Sequence, residues 1–135
     1  MKKLRLLLVA VLLVTLFSCT CKQKEEKQTI ITLISVDELS KTDNTIQLLD
    51  VRTPEEFEAG YINNAMNINF FNDDFITQAT SKLDINKPVY LYCKVGGRSG
   101  KAAKKLKEAG FTKVYDLKGG FDKWKSNLQP VTEIK

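Results

Sequence analysis

Residues 88–110 read Pro-Val-Tyr-Leu-Tyr-Cys-Lys-Val-Gly-Gly-Arg-Ser-Gly-Lys-Ala-Ala-Lys-Lys-Leu-Lys-Glu-Ala-Gly, and the fold is decided there. Val89–Tyr92 is apolar on both of its sides, the pattern of a strand buried inside a parallel sheet. From Ser99 to Ala109 the period changes to that of a helix. Ala102, Ala103, Leu106 and Ala109 share one face, lysines occupy the other, and Gly110 supplies the stop. Between strand and helix lies Cys93-Lys-Val-Gly-Gly-Arg-Ser99, a thiol at a strand end followed by a glycine-bearing, basic loop.

The same alternation extends in both directions. Ile30–Ile34 reads as a first strand, and Ser35-Val-Asp-Glu38 is a capping box that starts a short helix. Ile46–Val51 is a second strand. Thr53-Pro-Glu-Glu56 is a second capping box, with Pro54 at the first helical position, where its missing N–H is no loss; that helix stops at Gly60. Ala65–Phe70 reads as a third strand, Asp74–Ser81 as a helix, Val114–Leu117 as a fifth strand, and Phe121–Trp124 opens a last helix. Strands alternating with helices predict an α/β domain over residues 29–135, with a central, mostly parallel five-stranded sheet covered by helices on both faces.

The N-terminal residues belong to a different regime. Lys2, Lys3 and Arg5 precede an apolar run from Leu6 to Phe17, 12 residues long. A bilayer span needs about 20, so residues 1–18 read as an export signal rather than a membrane helix. The run ends in Leu16-Phe-Ser-Cys19, which resembles a bacterial lipoprotein signal and makes Cys19 the expected lipid acceptor. Residues 19–28 are polar and charged without apolar periodicity, a solvated tether. The expected location is therefore the bacterial cell envelope, with the domain lipid-anchored outside the cytoplasm. The formal charge of +5 includes three cations of the signal, and its removal leaves +2. Such a balance gives no basis for nucleic-acid binding, and a monomer is expected. Three cysteines, with Cys19 committed and Cys21 in the tether, leave Cys93 the lone thiol of the domain.

Ligands of open parallel sheets gather beyond the carboxyl ends of the strands, where Cys93 and the Asp50-Val-Arg52 segment both lie. The chain contains no histidine, so an imidazole cannot activate the nucleophile. Gly96 and Gly97 let successive N–H groups turn inward, and the following helix adds partial positive charge that favours thiolate over thiol. Lys94 and Arg98 add full charges, and Arg98 has the paired donors to hold an oxyanion. A buried structural cysteine before an ordinary glycine turn is the blander reading. Asp50 and Arg52 are expected to support the loops, as an ion pair or through contacts to Glu55 or Glu56, rather than to react. Four residues separate Cys93 from Arg98, one fewer than in a phosphate-cradling loop of the tyrosine-phosphatase kind. The cradle suits one extra sulfur atom better than a phosphate. Nothing in the sequence places Asp50, Asp73 or Asp74 as the general acid that a phosphatase needs.

Three blocks together carry a resemblance: Leu48-Leu-Asp-Val-Arg-Thr-Pro-Glu-Glu-Phe-Glu-Ala-Gly-Tyr-Ile-Asn-Asn-Ala-Met-Asn-Ile68, the Cys93-x-x-Gly-x-Arg-Ser99 loop, and Leu117-Lys-Gly-Gly-Phe-Asp-Lys-Trp124. Over about residues 30–126 the chain resembles single-domain rhodanese-like sulfurtransferases. It departs from them in Lys94, where the family often has Arg, and in Tyr61, where it often has His. The resemblance implies a Cys93 persulfide formed from thiosulfate or a persulfide donor and passed to cyanide, a thiol or a protein acceptor. It implies that Lys94, Val95, Gly96, Gly97, Arg98 and Ser99 form the substrate-binding loop, that Lys94 and Arg98 orient the donor's sulfonate, and that no metal or organic cofactor takes part. A non-catalytic interaction module on the same fold, and a cysteine phosphatase or arsenate reductase, are the competing readings.

Overall fold

Parallel strands leave no room for tight hairpins, so each connection must cross over a face of the sheet and cover it. A computed structural model describes residues 29–133. The signal, the lipidation site Cys19 and the tether with Cys21 lie outside the described residues. Within them, Ile30–Ile34 (β1), Gln47–Asp50 (β2), Met66–Asn67 (β3), Val89–Tyr92 (β4) and Lys113–Leu117 (β5) form one sheet in the order β1-β5-β4-β2-β3, and all its pairings are parallel. The helices are Val36–Ser40 (α1), Pro54–Glu58 (α2), Phe75–Lys82 (α3), Gly97–Glu108 (α4) and Gly120–Ser126 (α5).

The sheet separates two apolar layers. On one face Phe75 and Ala79 of α3 and Ala102, Ala103 and Leu106 of α4 pack with Leu49, Val89, Leu91 and Val114. On the other, Val36 and Leu39 near α1 and Phe121 and Trp124 of α5 pack with Leu48, Tyr92 and Leu117. The central strands β4 and β5 therefore have side chains buried on both faces, whereas β1 sits at an edge with Ile30 and Leu33 exposed. Trp124 is a core aromatic whose indole N–H donates to Pro130 O at 2.8 Å.

Both capping boxes form, Ser35 with Glu38 and Thr53 with Glu56. Two boundaries differ from the sequence reading. The strand expected over 65–70 shortens to Met66–Asn67. Beyond it, the Ile68 and Phe70 N–H groups still donate to Asp50 O and Val51 O at 3.0 and 3.2 Å. The Asn67 side chain meanwhile takes the Asp50 and Arg52 carbonyls at 3.1 and 3.0 Å, so the chain follows β2 past its end without a regular ladder. The helix expected from Ser99 begins at Gly97, because Gly96 at φ 110° turns the chain directly into it. Glycine is a poor helix former in isolation, which is why the first turn is hidden from propensity. The consequence for chemistry is that Arg98 and Ser99 belong to the first helical turn and not to a loose loop.

Candidate active site

Cys93 follows the last residue of β4, and its carbonyl faces the start of α5 while its side chain faces the start of α4. Its Sγ accepts the Gly96 N–H at 3.0 Å. The residue is only 1 % exposed. That burial alone would push the thiol up, but hydrogen bonds from the Ser99 hydroxyl and N–H and from the Gly96 and Val95 N–H groups outweigh it, and the thiol lies below its ordinary value. The donors are backbone groups at the N-terminus of a 12-residue helix, where orphan N–H groups and the macrodipole act together. The arrangement stabilises a sulfur anion without a full charge touching it.

The other side of the loop is fixed by α5. The Phe121 and Asp122 N–H groups donate to Cys93 O and Lys94 O at 2.8 and 3.0 Å, so one helix start caps the carbonyls while another faces the sulfur. This close approach requires Gly120. A Cβ there would stand 2.5 Å from Cys93 O and 2.6 Å from Lys94 O, and the residue has φ +58°. The Gly119-Gly120 pair is thus a contact surface for the reactive loop, a role the sequence signalled only as a motif.

The two loop cations are both engaged. Arg98 forks onto Glu56, Nη1 to Oε2 at 2.6 Å and Nη2 to Oε1 at 2.7 Å. This hydrogen-bonded pairing with Arg98 holds the Glu56 carboxyl down at about 2. Two of the five N–H groups of Arg98, which was expected to offer paired donors to an oxyanion, are thus engaged by Glu56. This partner was invisible locally, since Glu56 lies 42 residues away and already reads as the acid of a capping box. Lys94 pairs with Asp122 at 2.5 Å and keeps 56 % of its side chain exposed. Val95 and Gly97 are exposed at the mouth, and nothing lies within 4 Å of a Cβ built on either Gly96 or Gly97, so the loop's outer surface is open.

Asp50 and Arg52 stand behind this site and pair with each other. Arg52 Nη2 meets Asp50 Oδ2 at 2.6 Å and also donates to Gly60 O at 2.7 Å. Its guanidinium lies 4.0 Å from the Phe121 ring centroid. Both are buried, at 0 % and 3 % exposure, and their bonds run to the α2–β3 connection and to α5 rather than to the sulfur. Among the described residues neither Asp73 nor Asp74 forms a hydrogen bond or ion pair with the loop: Asp74 precedes α3, where its carboxylate accepts from Gln78 at 2.8 Å. Tyr61, one of the two departures from the resembled pattern, stacks on Phe57 at 4.1 Å and bridges Thr132 through the backbone.

The sequence reading passed over Asp116. It occupies β5 between β1 and β4, is 4 % exposed, and has Oδ1 buried without a hydrogen-bond partner among the described residues. Burial raises its carboxyl to about 6, and the neighbouring Ser99 hydroxyl opposes the rise. The available signal was an acid in the middle of Val114-Tyr-Asp-Leu117, a strand otherwise fit for burial.

Among the described residues no cluster of three or more His, Cys, Asp or Glu side chains is placed to hold a metal.

Comparison with known proteins adds independent findings. The model of the rhodanese-like domain family matches residues 34–127. Among curated proteins, the uncharacterized protein YqhL of Bacillus subtilis is 40 % identical over 103 residues, covering 76 % of this chain and 79 % of its own length. The chloroplastic thiosulfate sulfurtransferase 16 of Arabidopsis thaliana is 40 % identical over 91 residues, covering 61 % and 76 %. Among solved structures, a rhodanese-related protein from Thermoplasma volcanium superposes with a TM-score of 0.67 at 27 % identity, over 77 % of this chain and 99 % of its own. A rhodanese-like domain protein from Staphylococcus aureus does so with a TM-score of 0.60 at 32 % identity, over 69 % and 90 %.

Proposed function

Since this chain belongs to the rhodanese-like domain family, we propose that it is a sulfurtransferase whose Cys93 carries sulfane sulfur as a persulfide. The observation that carries the reading is the Cys93 thiol held below its ordinary value by inward N–H groups, beneath a loop open to solvent. With thiosulfate as donor, the thiolate attacks the outer sulfur, the S–S bond to the sulfonate breaks, and sulfite leaves with the electron pair. The resulting Cys93–S–S⁻ places its charge where the Val95, Gly96 and Ser99 N–H groups converge. Cyanide or a thiolate then attacks the terminal sulfur and Cys93 leaves as the same stabilised thiolate. A relative carries the name thiosulfate sulfurtransferase, as do 37 % identical proteins of Coxiella burnetii, which supports thiosulfate as the donor to try first.

The engagement of both cations alters the expected division of labour. Arg98, forked on Glu56, holds the first turn of α4 in place. Lys94, more than half exposed and bound to one carboxylate, keeps N–H donors for an incoming sulfonate. Loop length and the absence of a placed general acid among the described residues leave the phosphatase reading without support, and the activated thiol beneath the open loop argues against a purely binding module. We further propose that the domain works at the cell envelope, tethered through lipid on Cys19, where its partners are small sulfur compounds and thiol or protein acceptors.

The test is direct. The purified chain is incubated with thiosulfate, its intact mass is measured, and cyanide is added. The expected result is a mass gain of one sulfur and release of thiocyanate, both lost in Cys93→Ser. No sulfur gain and no thiocyanate would overturn the reading, and phosphate release from an aryl phosphate would favour the phosphatase instead.

A further inference from the structure

Charge is sorted along the strands of this domain. Because all five strands are parallel, each helix starts at the carboxyl end of the sheet, the end that holds Cys93, and finishes at the amino end. Acids suit helix starts and lysines suit helix ends, so the two signs are separated in space. Asp37 and Glu38 of α1, Glu55 and Glu56 of α2 and Asp122 of α5 lie in first turns, at the carboxyl end. Lys82 of α3 and Lys107 of α4 lie in last turns, at the amino end, where Lys87 precedes β4 and Lys113 opens β5. Of these four exposed lysines, Lys87 alone has an ion-pair partner among the described residues, Asp84 at 4.0 Å. Lys41 and Lys104 add to the basic set, against Asp43, Asp84 and Glu108. The cations at the mouth, Lys94 and Arg98, are by contrast both paired.

An apolar edge adjoins this basic end. Ile30 and Leu33 of the edge strand β1 are 61 % and 65 % exposed, and Ile31 is exposed beside them. No charge, proline or bulge blunts Ile30–Ile34, the usual protections of a free edge. The chain enters the domain at the same place: Thr29 is fastened by its hydroxyl to Phe111 O, directly before β1. Cys19 stands ten residues earlier, a span of at most about 35 Å, and Lys22, Lys24 and Lys27 lie between. Exposed apolar side chains, unpaired lysines and the point of attachment thus coincide. A bilayer surface with anionic headgroups matches all three, and its headgroups and water satisfy the free N–H and C=O groups of an edge strand, which hydrocarbon does not.

We propose that the amino end of the sheet, with the exposed edge of β1, docks on an anionic lipid surface. Lys82, Lys107 and Lys113 meet the headgroups, and Ile30 and Leu33 enter the interface. The inference rests on the envelope location proposed above, but not on the chemistry of Cys93. Its consequence is orientation. The carboxyl end, carrying Glu55, Glu56 and Asp122 around the mouth, turns away from the bilayer, so the Cys93 loop opens toward arriving donors and acceptors instead of the membrane.

The experiment reads depth on vesicles. In the full chain, with all three native cysteines replaced by serine, a fluorophore is attached to Ile30→Cys at the amino end or to Lys118→Cys beyond the far end of β5. The apolar run from Leu6 to Phe17 holds the chain on the vesicles. Quenching by lipid with a nitroxide headgroup is measured on phosphatidylcholine alone and with about one-third phosphatidylglycerol. On the anionic vesicles, quenching at residue 30 is expected to exceed that at residue 118 by about threefold or more. The ratio is expected to fall by about half or more on neutral vesicles, in about 0.5 M salt, or with Lys82→Gln, Lys107→Gln and Lys113→Gln combined. All five substituted positions are exposed, so the fold is not at stake. Equal quenching at the two positions on anionic vesicles would overturn the proposal. So would a ratio unchanged by neutral lipid and by the glutamine variant, which would be the effect of the tether alone. A residue-30 label shielded from aqueous iodide before vesicles are added would give the edge to a second copy and overturn it as well. If Cys19 carries no lipid in cells while the quenching pattern holds, the anchor reading fails and the docking surface stands.

Discussion

Replacing Glu56 by Gln isolates the clamp that holds the reactive loop to α2. In the folded chain the Glu56 carboxyl falls from 4.5 to about 2, chiefly through its hydrogen bonds from Arg98, and that difference sets an upper bound of about 3 kcal/mol on its contribution. The Arg98 and Glu56 side chains remain 20 % and 29 % exposed, so water screens part of the attraction. Glutamine also keeps one acceptor for the fork. The expected loss for Glu56→Gln near pH 7 is therefore about 1–2 kcal/mol. The folded-state value lies below the unfolded one, so the stabilisation is complete above 4.5 and disappears as pH falls through about 2. Urea unfolding of both proteins at about pH 7, about pH 4 and about pH 3 reads this out as a gap that narrows with acidification. A gap of constant size, or none at neutral pH, would refute the assignment of Arg98 to Glu56 as its working partner.

Asp50→Ala strands a buried guanidinium with only Gly60 O and two aromatic rings for company, and the expected cost is about 3–5 kcal/mol by chemical denaturation; a loss under about 1 kcal/mol would contradict the pairing. Gly120→Ala drives a methyl into the Cys93 and Lys94 carbonyls at a φ that resists side chains, for an expected loss of about 3 kcal/mol. In the fraction that folds, displacement of the loop should carry the Cys93 thiol back up toward its ordinary value, measured by alkylation against pH. An unperturbed thiol in folded Gly120→Ala would show that α5 does not seat the loop.

The parts of this protein that were legible from sequence share a local cause. Periodicity located β4 and α4 because their apolar positions repeat within a few residues, and the capping boxes at Ser35 and Thr53 announced α1 and α2 because cap and acid are three residues apart. Cys93 with its glycines was legible for the same reason. What escaped lies in contacts across long separations. Arg98 looked like a free oxyanion ligand because Glu56 is distant in sequence, and Glu56 has two functions at once, closing the cap of α2 and gripping the start of α4. Gly120 was legible only as part of a motif because the carbonyls that forbid its Cβ belong to another loop. β3 was read too long because Ile68–Phe70 keeps a strand-like composition and still follows β2, but without a regular ladder, with the Asn67 amide adding its own bonds to the Asp50 and Arg52 carbonyls. Asp116 was overlooked because a strand reading records only which positions are apolar.

These hidden contacts change how charge is managed at the sulfur. With the terminal nitrogens of Arg98 on Glu56 and Lys94 beside Asp122, the side-chain cations of the loop are locally neutralised and the sulfur depends on N–H groups. Backbone donors at a helix start are fixed in position, need no reorganisation when charge appears, and cannot be titrated away. A cation poised over the sulfur would favour thiolate and persulfide alike, but would also hold sulfite or another anionic leaving group in the pocket. In the proposed transfer, neutralised cations at the rim would let an anionic donor approach Lys94 and depart, while the anion that must persist between half-reactions would stay in the cradle. On this account the Glu56 fork is a condition for turnover as well as for stability. Freeing Arg98 is expected to tighten thiosulfate binding while slowing release of sulfite, seen as a lower KM together with a lower kcat in Glu56→Gln. A higher kcat in that variant would return the oxyanion role to Arg98.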